Sequence, residues 1–386
     1  MRALVHAKAS TWSWRGHPLW LVGFRPFFLL ACVAGATLPL LWVAIYAGVL
    51  PPPPGLSALQ WHAHEMFYGF GFAVLGGFLL TASKNWVKAR GHFGRTLQVL
   101  VALWLLERVS VWWLGAGPHA FVFPVALAVA VTWTLVRGRA QDSYRDNGLF
   151  ILALSAFVVA RGLLLSREHF EAGRELSLAL FRLAFVVMLE RTIPPFMRGA
   201  FQIDVRRVFA LDTAVKVLAV ALVPAVWLPS PLRVAIEVAF VAVFAARMLL
   251  WRPLRALTRV EVGVMYGGAL CLALQVALRA LGGAWVGSAP LHIFSFGTMG
   301  LIIPAMLTRI AQGHTGRPIQ FGVGEHVALG LMALAGLARV VGPQVAPSQY
   351  QAWLVVAALG WAACLGITLV RIAPMLWSAR VDGREH

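Results

Sequence analysis

Long apolar stretches alternate with short polar connections along the whole chain. Most stretches approach the roughly 20 residues that an α-helix needs to cross a bilayer. Segments rich in proline and glycine, such as 51–55 and 115–118, separate them. No stretch alternates apolar and polar residues with a period of two, so we do not expect a β-barrel. The pattern predicts twelve membrane-spanning helices, at 19–48, 60–82, 97–115, 119–136, 148–165, 176–197, 209–228, 231–250, 260–282, 290–310, 324–342 and 350–372.

The composition agrees with a membrane protein. Apolar residues make up 60% of the chain and charged residues 12%, whereas soluble proteins average about 45–50% and about 25%. The 33 basic and 15 acidic residues give a net charge of +18, which in a soluble protein would suggest a nucleic-acid partner. In a chain this apolar, positive charge indicates topology, so we expect membrane lipid and no nucleic acid around it. The predicted fold class is an all-α, polytopic membrane helix bundle that forms a single integral membrane domain over 1–386.

The basic residues are concentrated in alternate connections, and the opposite side has only Arg167 and Arg174. Cytoplasmic connections carry the excess of Lys and Arg, so we expect both termini in the cytoplasm, with an N-terminal segment at 1–18 and a tail at 373–386. The basic side includes Lys84, Lys88, Arg90, Arg95, Arg137, Arg139, Arg145, Arg198, Arg206, Arg207, Arg247, Arg252, Arg255, Arg259, Arg309 and Arg317.

Histidines mark the non-cytoplasmic ends of two predicted spans. The second span opens with Trp61-His62-Ala63-His64-Glu65-Met66, and the tenth opens near His292. On a regular α-helix, His62 and His64 project about 200° apart, and Glu65 and Met66 share the face of His62. Two imidazoles and a carboxylate at the mouth of an apolar helix favour metal ligation or proton handling.

A second histidine motif follows the tenth span, on the cytoplasmic side. Gly313-His314-Thr315-Gly316-Arg317-Pro318 places glycines around His314, with Arg309 and Arg317 nearby. His314 could ligate a metal, the segment could hold an anionic group such as a haem propionate, or it could form a hydrated loop. The spacing does not decide among these three interpretations.

Four segments together resemble the NnrS family, membrane proteins associated with haem, copper and the response to nitric oxide. They are the segment from Gly23 to Phe28 with Arg25; Trp61 to Met66, continuing to Trp86; Arg145-Asp146-Asn147; and His292 to Pro318. The resemblance covers essentially the whole chain. One departure is Glu261, where a histidine-bearing stretch is expected, which makes copper less secure than haem.

The resemblance implies a haem-containing, optionally haem–copper, protein of the bacterial cytoplasmic membrane that binds nitric oxide and removes it reductively to relieve nitrosative stress. The haem would be b-type and non-covalent, because no CxxCH attachment motif is present. His62, His64 and His292 are the expected metal ligands, near the periplasmic side, and His314 is a further cofactor-binding candidate. Glu65 is the expected proton donor, and quinol or another donor would supply electrons. Arg25, Arg309 and Arg317 are the candidate propionate contacts.

Two other interpretations remain open. Twelve spans with charges inside the membrane also suit a transporter of a metal or small solute, although the two halves show no convincing repeat. A non-catalytic sensor of haem or nitric oxide would need no electron donor. Catalysis is therefore expected, but the sequence does not establish it.

Overall fold

The computed structural model describes residues 16–383, apart from the side chain of Arg145. Most of the predicted segment 1–18 and the last residues of the tail therefore lie outside the described residues. Within 16–383 the chain is helical and contains no β-strand, which confirms the predicted fold class. The α-helices are α1 (Phe24–Tyr46), α2 (Ala58–His64), α3 (Phe72–Trp86), α4 (Arg95–Leu114), α5 (Val122–Arg137), α6 (Gly148–Leu165), α7 (Phe170–Phe201), α8 (Phe209–Ala221), α9 (Ser230–Leu250), α10 (Pro253–Ala256), α11 (Val260–Leu281), α12 (Ala289–His292), α13 (Leu301–His314), α14 (Val323–Val340), α15 (Gly342–Val345) and α16 (Tyr350–Trp377).

Nine helical segments in the described part of the chain are long and apolar enough to cross a membrane. Three predicted spans fall short of that length or composition. Helices α7 and α9 carry several charged side chains, and α8 has only 13 residues before Pro224 begins a short 3₁₀ turn. The structure thus supports a multi-pass helical membrane protein, while the count of twelve spans and the cytoplasmic position of the termini remain predictions.

The bundle exposes apolar side chains and buries charged ones. Trp113, Leu152 and Leu249 are about 70% exposed on its outer surface, whereas Arg161 and Arg247 are fully buried. A lipid-facing surface favours the first arrangement, and buried charges in such a protein need partners inside the bundle. The polar groups that could carry function therefore lie in the interior.

Two helices change from α- to π-helical geometry directly after a histidine. The π-helix π1 (Glu65–Gly71) follows His64 and joins α2 to α3, and π2 (Ile293–Gly300) follows His292 and joins α12 to α13. Such π turns are rare and often occur at functional sites, because the extra residue per turn re-aims side chains. Both changes lie at the same end of the bundle, which we call the His62 end. The opposite end, where α13 finishes, is the His314 end.

The π-helix π1 packs against α1, π2 packs against α11 and α14, and α16 packs against both α1 and α14. The start of α2 is fixed by a capping box, in which the Gln60 amide donates to Ser57 Oγ and the Ser57 amide donates to Gln60 Oε1 (both 3.1 Å). This cap sets the position of His62 two residues further on.

Candidate metal and cofactor site

His62 and His292 line one internal cavity at the His62 end of the bundle. The cavity encloses about 910 Å³ of empty space, including space open to solvent. It lies between α1, α2 with π1, the start of α7, α12 with π2, α14 and α16. The structure therefore brings together two side chains that are 230 positions apart in the sequence.

Each of these imidazoles is held by a specific contact. The ring of His62 stacks on Trp42 of α1, with centroids 4.3 Å apart. His292 Nδ1 lies 3.0 Å from the carbonyl oxygen of Ser288. Since a carbonyl can only accept, Nδ1 carries the proton and donates it, which leaves the lone pair of Nε2 free for a ligand. Metal-binding histidines usually donate their other ring N–H to a carbonyl or a carboxylate in this way.

The remaining walls are apolar and largely flat. Aromatic and aliphatic side chains surround the space, and the thioethers of Met66 and Met299 also reach it. A cavity of this kind suits an apolar, planar molecule that is oriented by a few polar groups. The apolar walls are formed by Pro39, Trp42, Leu59, Phe67, Phe70, Phe296, Leu354, Ala357, Ala358 and Trp361.

Two arginines that were not predicted as site residues also line this cavity. Arg174 pairs with Glu171 (2.6 Å) and lies 3.6 Å from Glu175. Arg339 of α14 is 6% exposed, and its Nη2 donates to the Tyr350 hydroxyl (3.0 Å). The signal available in the sequence was an arginine inside the eleventh predicted span with no acidic residue within a helical turn.

His64 faces away from the cavity and has both ring nitrogens engaged. Arg161 Nη2 donates to His64 Nε2 (2.6 Å), and His64 Nδ1 donates to Glu65 Oε1 (2.9 Å). Guanidinium groups cannot accept hydrogen bonds, so this pair of contacts fixes the tautomer. The structure therefore brings together two of the three predicted metal ligands and holds the third in a different environment.

Glu65 belongs to the same polar cluster as His64. Arg108 donates to Glu65 Oε2 (2.8 Å) and also pairs with Glu107, which in turn pairs with Arg161 (2.9 Å). These five side chains form a closed network, which we call the His64 ring. The expectation that Glu65 shares the face of His62 is wrong. Glu65 keeps α-helical φ and ψ angles, with its amide donating to the Trp61 carbonyl, but the bonds of its carboxylate to Arg108 of α4 and to His64 hold it away from the cavity.

The His314 end holds a separate group of basic side chains. Arg25 is fully buried and donates to the carbonyl oxygens of Leu376 (2.8 Å) and Ser378 (2.7 Å). Arg380 donates to the carbonyl of His314, and Arg317 donates to Thr315 Oγ1 (both 2.8 Å). The ring of His314 lies 5.2 Å from that of Phe24. The structure therefore brings Arg25, His314 and Arg317 to the same end of the bundle, where Arg25 and the His314 carbonyl bond to the end of α16 and the following residues.

Arg309 and Glu261 also lie toward the His314 end. The Arg309 guanidinium stacks over Phe196 at 3.5 Å, and Glu261 Oε1 accepts from the Phe321 amide (3.3 Å). Arg309 lies seventeen positions after His292 in continuous helix, which corresponds to roughly 20–25 Å along the helix. Arg309 therefore does not reach the cavity of His62 and His292.

Within residues 16–383, no group of three or more His, Cys, Asp or Glu side chains is arranged to hold a metal ion. The cavity offers paired imidazoles instead, with one unshared nitrogen on His292. Imidazole pairs are suited to the iron of a haem, whose ring supplies its other ligands.

These features define a polytopic helical membrane protein with a histidine-lined cavity at one end of the bundle. The family model described as "NnrS protein" matches residues 18–380, nearly the whole chain, and the chain belongs to the NnrS family. Membership supports a role in the response to nitric oxide. No curated protein matches the chain.

Proposed function

We propose that this protein binds a haem in the cavity of His62 and His292 and uses it to bind nitric oxide and remove it reductively. The observation that supports the proposal is the convergence of these two imidazoles on one apolar cavity of about 910 Å³. Family membership supplies the link to nitric oxide.

The residues of the cavity fit a haem. Phe70, Phe296 and Trp361 provide apolar walls for a flat ring, and His292 offers an unshared Nε2. Arg339 leaves Nη1 without a hydrogen-bond partner within the described chain, where an anionic substituent could bind. His62 and His292 would hold the iron, and a haem bound there would supply a metal centre at which nitric oxide can coordinate.

Copper is a second candidate occupant of the same cavity. Imidazole nitrogens and thioether sulfurs are both ligands that copper accepts, with sulfur favouring Cu(I). His62, His292, Met66 and Met299 supply this set of donors. Glu261 lies toward the opposite end, so its presence in place of a histidine does not alter this group of donors.

Reduction of nitric oxide consumes protons, and Glu65 is the donor expected from the sequence. The Glu65 carboxylate lies outside the cavity and is held by Arg108 and His64. We therefore assign Glu65 and His64 a positioning role, in which the His64 ring fixes the start of π1 and so the direction of His62 and Met66.

We further propose that the His62 end faces the periplasm of a bacterial cytoplasmic membrane. Basic residues accumulate toward the His314 end, including Arg25, Lys84, Arg309, Arg317 and Arg380. Positive charge is enriched on the cytoplasmic side of membrane proteins. Nitric oxide would then enter the cavity from the periplasm or from the bilayer.

Optical spectroscopy of the purified protein, expressed with adequate haem supply, tests the haem ligands. We expect a Soret band and stoichiometric iron in the wild type, and loss or a clear shift of that band in His62→Ala and in His292→Ala. His119→Ala is the matched control, since His119 bonds the Gly115 carbonyl (2.9 Å) outside the cavity. His64→Gln should keep the band position. A wild-type protein without haem, or unchanged spectra in both cavity variants, would contradict the proposal.

Consumption of nitric oxide under anaerobic conditions, with a chemical reductant, separates catalysis from sensing. An enzyme should remove nitric oxide over many turnovers, and His292→Ala should abolish that removal. Stoichiometric binding without turnover would instead identify a sensor.

A further inference from the structure

Arg339 is a buried arginine of the cavity that forms no ion pair among the described residues; buried Arg182 forms none there either, but it does not line the cavity. Arg161 pairs with Glu107, and Arg247 pairs with Glu190 (both 2.9 Å). Within residues 16–383 no carboxylate forms an ion pair with Arg339, although its side chain is 6% exposed. Its one hydrogen bond to a side chain runs from Nη2 to Tyr350.

The other terminal nitrogen of Arg339, Nη1, has no hydrogen-bond partner in the described chain. Space next to it is preserved by Gly287, whose φ is +66° and where an added Cβ would lie 2.8 Å from Nη1. A side chain at position 287 would therefore crowd the guanidinium. Nη1 is itself buried at this turn, and the Arg339 side chain lines the cavity.

A buried, unpartnered charge is costly, and inside a membrane protein such a group usually marks a binding site. The second cationic side chain of the cavity, Arg174, is neutralised by Glu171 and Glu175. Arg339 therefore leaves one uncompensated positive charge among apolar walls. Its planar fork matches the two oxygens of a carboxylate better than an ammonium group would.

We propose that Arg339 binds a planar anion with two oxygens in the cavity of His62 and His292, with Tyr350 holding the guanidinium in place. This inference rests on the proposed function, since it concerns the same cavity. Two sources share this chemistry: a carboxylate carried by the bound haem, and a small free anion such as nitrite.

The first arm of the test uses the full chain, purified without added haem in lipid nanodiscs, and titrates it with nitrite and with acetate by calorimetry. If the source is a free anion, the wild type binds one of them, and Arg339→Gln weakens binding by at least about tenfold. Arg339→Lys keeps the charge but loses the fork, so it should weaken binding less. Arg167→Gln, at an exposed position, is the matched control and should bind like the wild type.

The second arm measures the rate at which haem leaves the loaded protein for an excess of apomyoglobin. If the source is a haem carboxylate, Arg339→Gln should accelerate release by at least about tenfold, whereas Arg167→Gln should not. Tyr350→Phe removes the hydrogen bond to Arg339 Nη2 but keeps the charge, and should give a smaller acceleration.

The two arms distinguish a haem carboxylate from a free anion. They also distinguish a failure of this inference from a failure of the proposed function. An effect in one arm identifies the corresponding source. If folded Arg339→Gln behaves like the wild type in both arms, or if the wild type binds neither haem nor either anion, the inference is overturned. A protein that binds nitrite through Arg339 but no haem would overturn the proposed function and leave this inference standing. Should Arg339→Gln not yield monodisperse protein, Arg339→Lys replaces it in both arms.

Discussion

His62 and His64 are separated by one residue on α2, yet they lie in opposite kinds of environment. His62 lines an apolar cavity, where its visible contact is ring stacking on Trp42. His64 is fully buried in a ring of charged side chains and bonds to Arg161 and Glu65 through both nitrogens. The imidazole of His62 is thus available to a ligand, whereas both nitrogens of His64 are already engaged in hydrogen bonds.

The difference shows how structural and binding roles can be separated in a membrane bundle. In the His64 ring, the positive charges of Arg108 and Arg161 are matched by Glu65 and Glu107, which ties α2, α4 and α6 together. In the cavity, Arg339 is unmatched by any carboxylate of the described chain. Full internal compensation indicates structural support, and an uncompensated polar group indicates a place for a ligand.

The largest effect should come from breaking the His64 ring at Glu107. Its carboxylate pairs with Arg108 and Arg161 and accepts from the Phe123 amide (3.1 Å). Removing one partner of a buried ion pair typically costs about 3–5 kcal/mol, because a charge is left uncompensated. We expect Glu107→Leu to lose about that much stability in thermal unfolding in detergent.

Glu171→Leu is the control for this experiment, because the Glu171 side chain is 67% exposed. Its loss should change the unfolding temperature little. Equal stability of the two variants would show that the His64 ring does not support the bundle.

A smaller effect is expected at Gly297 of π2, on the cavity side of the comparison. A Cβ at this position would collide with the Cys271 side chain of α11. Overpacking of this kind typically costs about 1–3 kcal/mol, and it should also displace the helix that carries His292. We expect Gly297→Ala to lower both the unfolding temperature and the haem content.

Gly267→Ala on α11 is the matched control, since an added Cβ there meets nothing within 4 Å. It should be neutral or slightly stabilising, because alanine favours a helix more than glycine does. Unchanged haem content in Gly297→Ala would show that the close packing of π2 is not needed to place His292.

The smallest effect should come from Asp146, a half-exposed counterpart of the buried ring. Asp146 pairs with Arg191 (2.7 Å) and Lys216 (2.6 Å). Burial raises the pKa of this carboxyl, but the hydrogen bond from Lys216 and the charge of Arg191 outweigh burial, so the pKa lies below its ordinary value. We expect Asp146→Asn to cost about 1 kcal/mol near neutral pH.

The sign of the pH dependence follows from the lowered pKa of Asp146. Its contribution is present above the unfolded pKa of about 3.9 and is lost as the pH falls through the lower folded value. The difference between the wild type and Asp146→Asn should therefore be constant from pH 5 to 8 and shrink below about pH 4. A difference that grows on acidification would contradict this assignment.

Much of the fold could be predicted from the sequence, because the apolar pattern is a local property. Each of the twelve predicted stretches contains a helix, including α7 to α9, which fall short of the length or the composition of a membrane span. The boundary of α8 was placed too late, since the apolar run continues past the helix into Pro224. The pattern of apolar side chains continues there, but proline lacks the backbone N–H that an α-helix needs, so the helix ends earlier than the apolar run.

The site could be predicted only in part. The sequence pointed to His62 and His292 because histidines at the ends of apolar helices are unusual and both were assigned to the same side. It could not show that Glu65 turns away, since its partner Arg108 lies on α4, 43 positions further along the chain. Arg339 was missed for the same reason, because its lack of a partner is visible only when every surrounding helix is in place.

By itself, then, the sequence determined the helical class, the positions of the helices and the histidine motifs, since hydrophobic length and residue type are read along one chain. The tertiary structure decided which histidine meets a cavity, which charges neutralise one another and which arginine lines that cavity without a carboxylate partner. Those outcomes depend on contacts between residues as distant as Glu65 and Arg108, or His62 and His292. Inside a membrane, where water cannot satisfy a buried polar group, such contacts separate the groups that support the bundle from those available to a ligand.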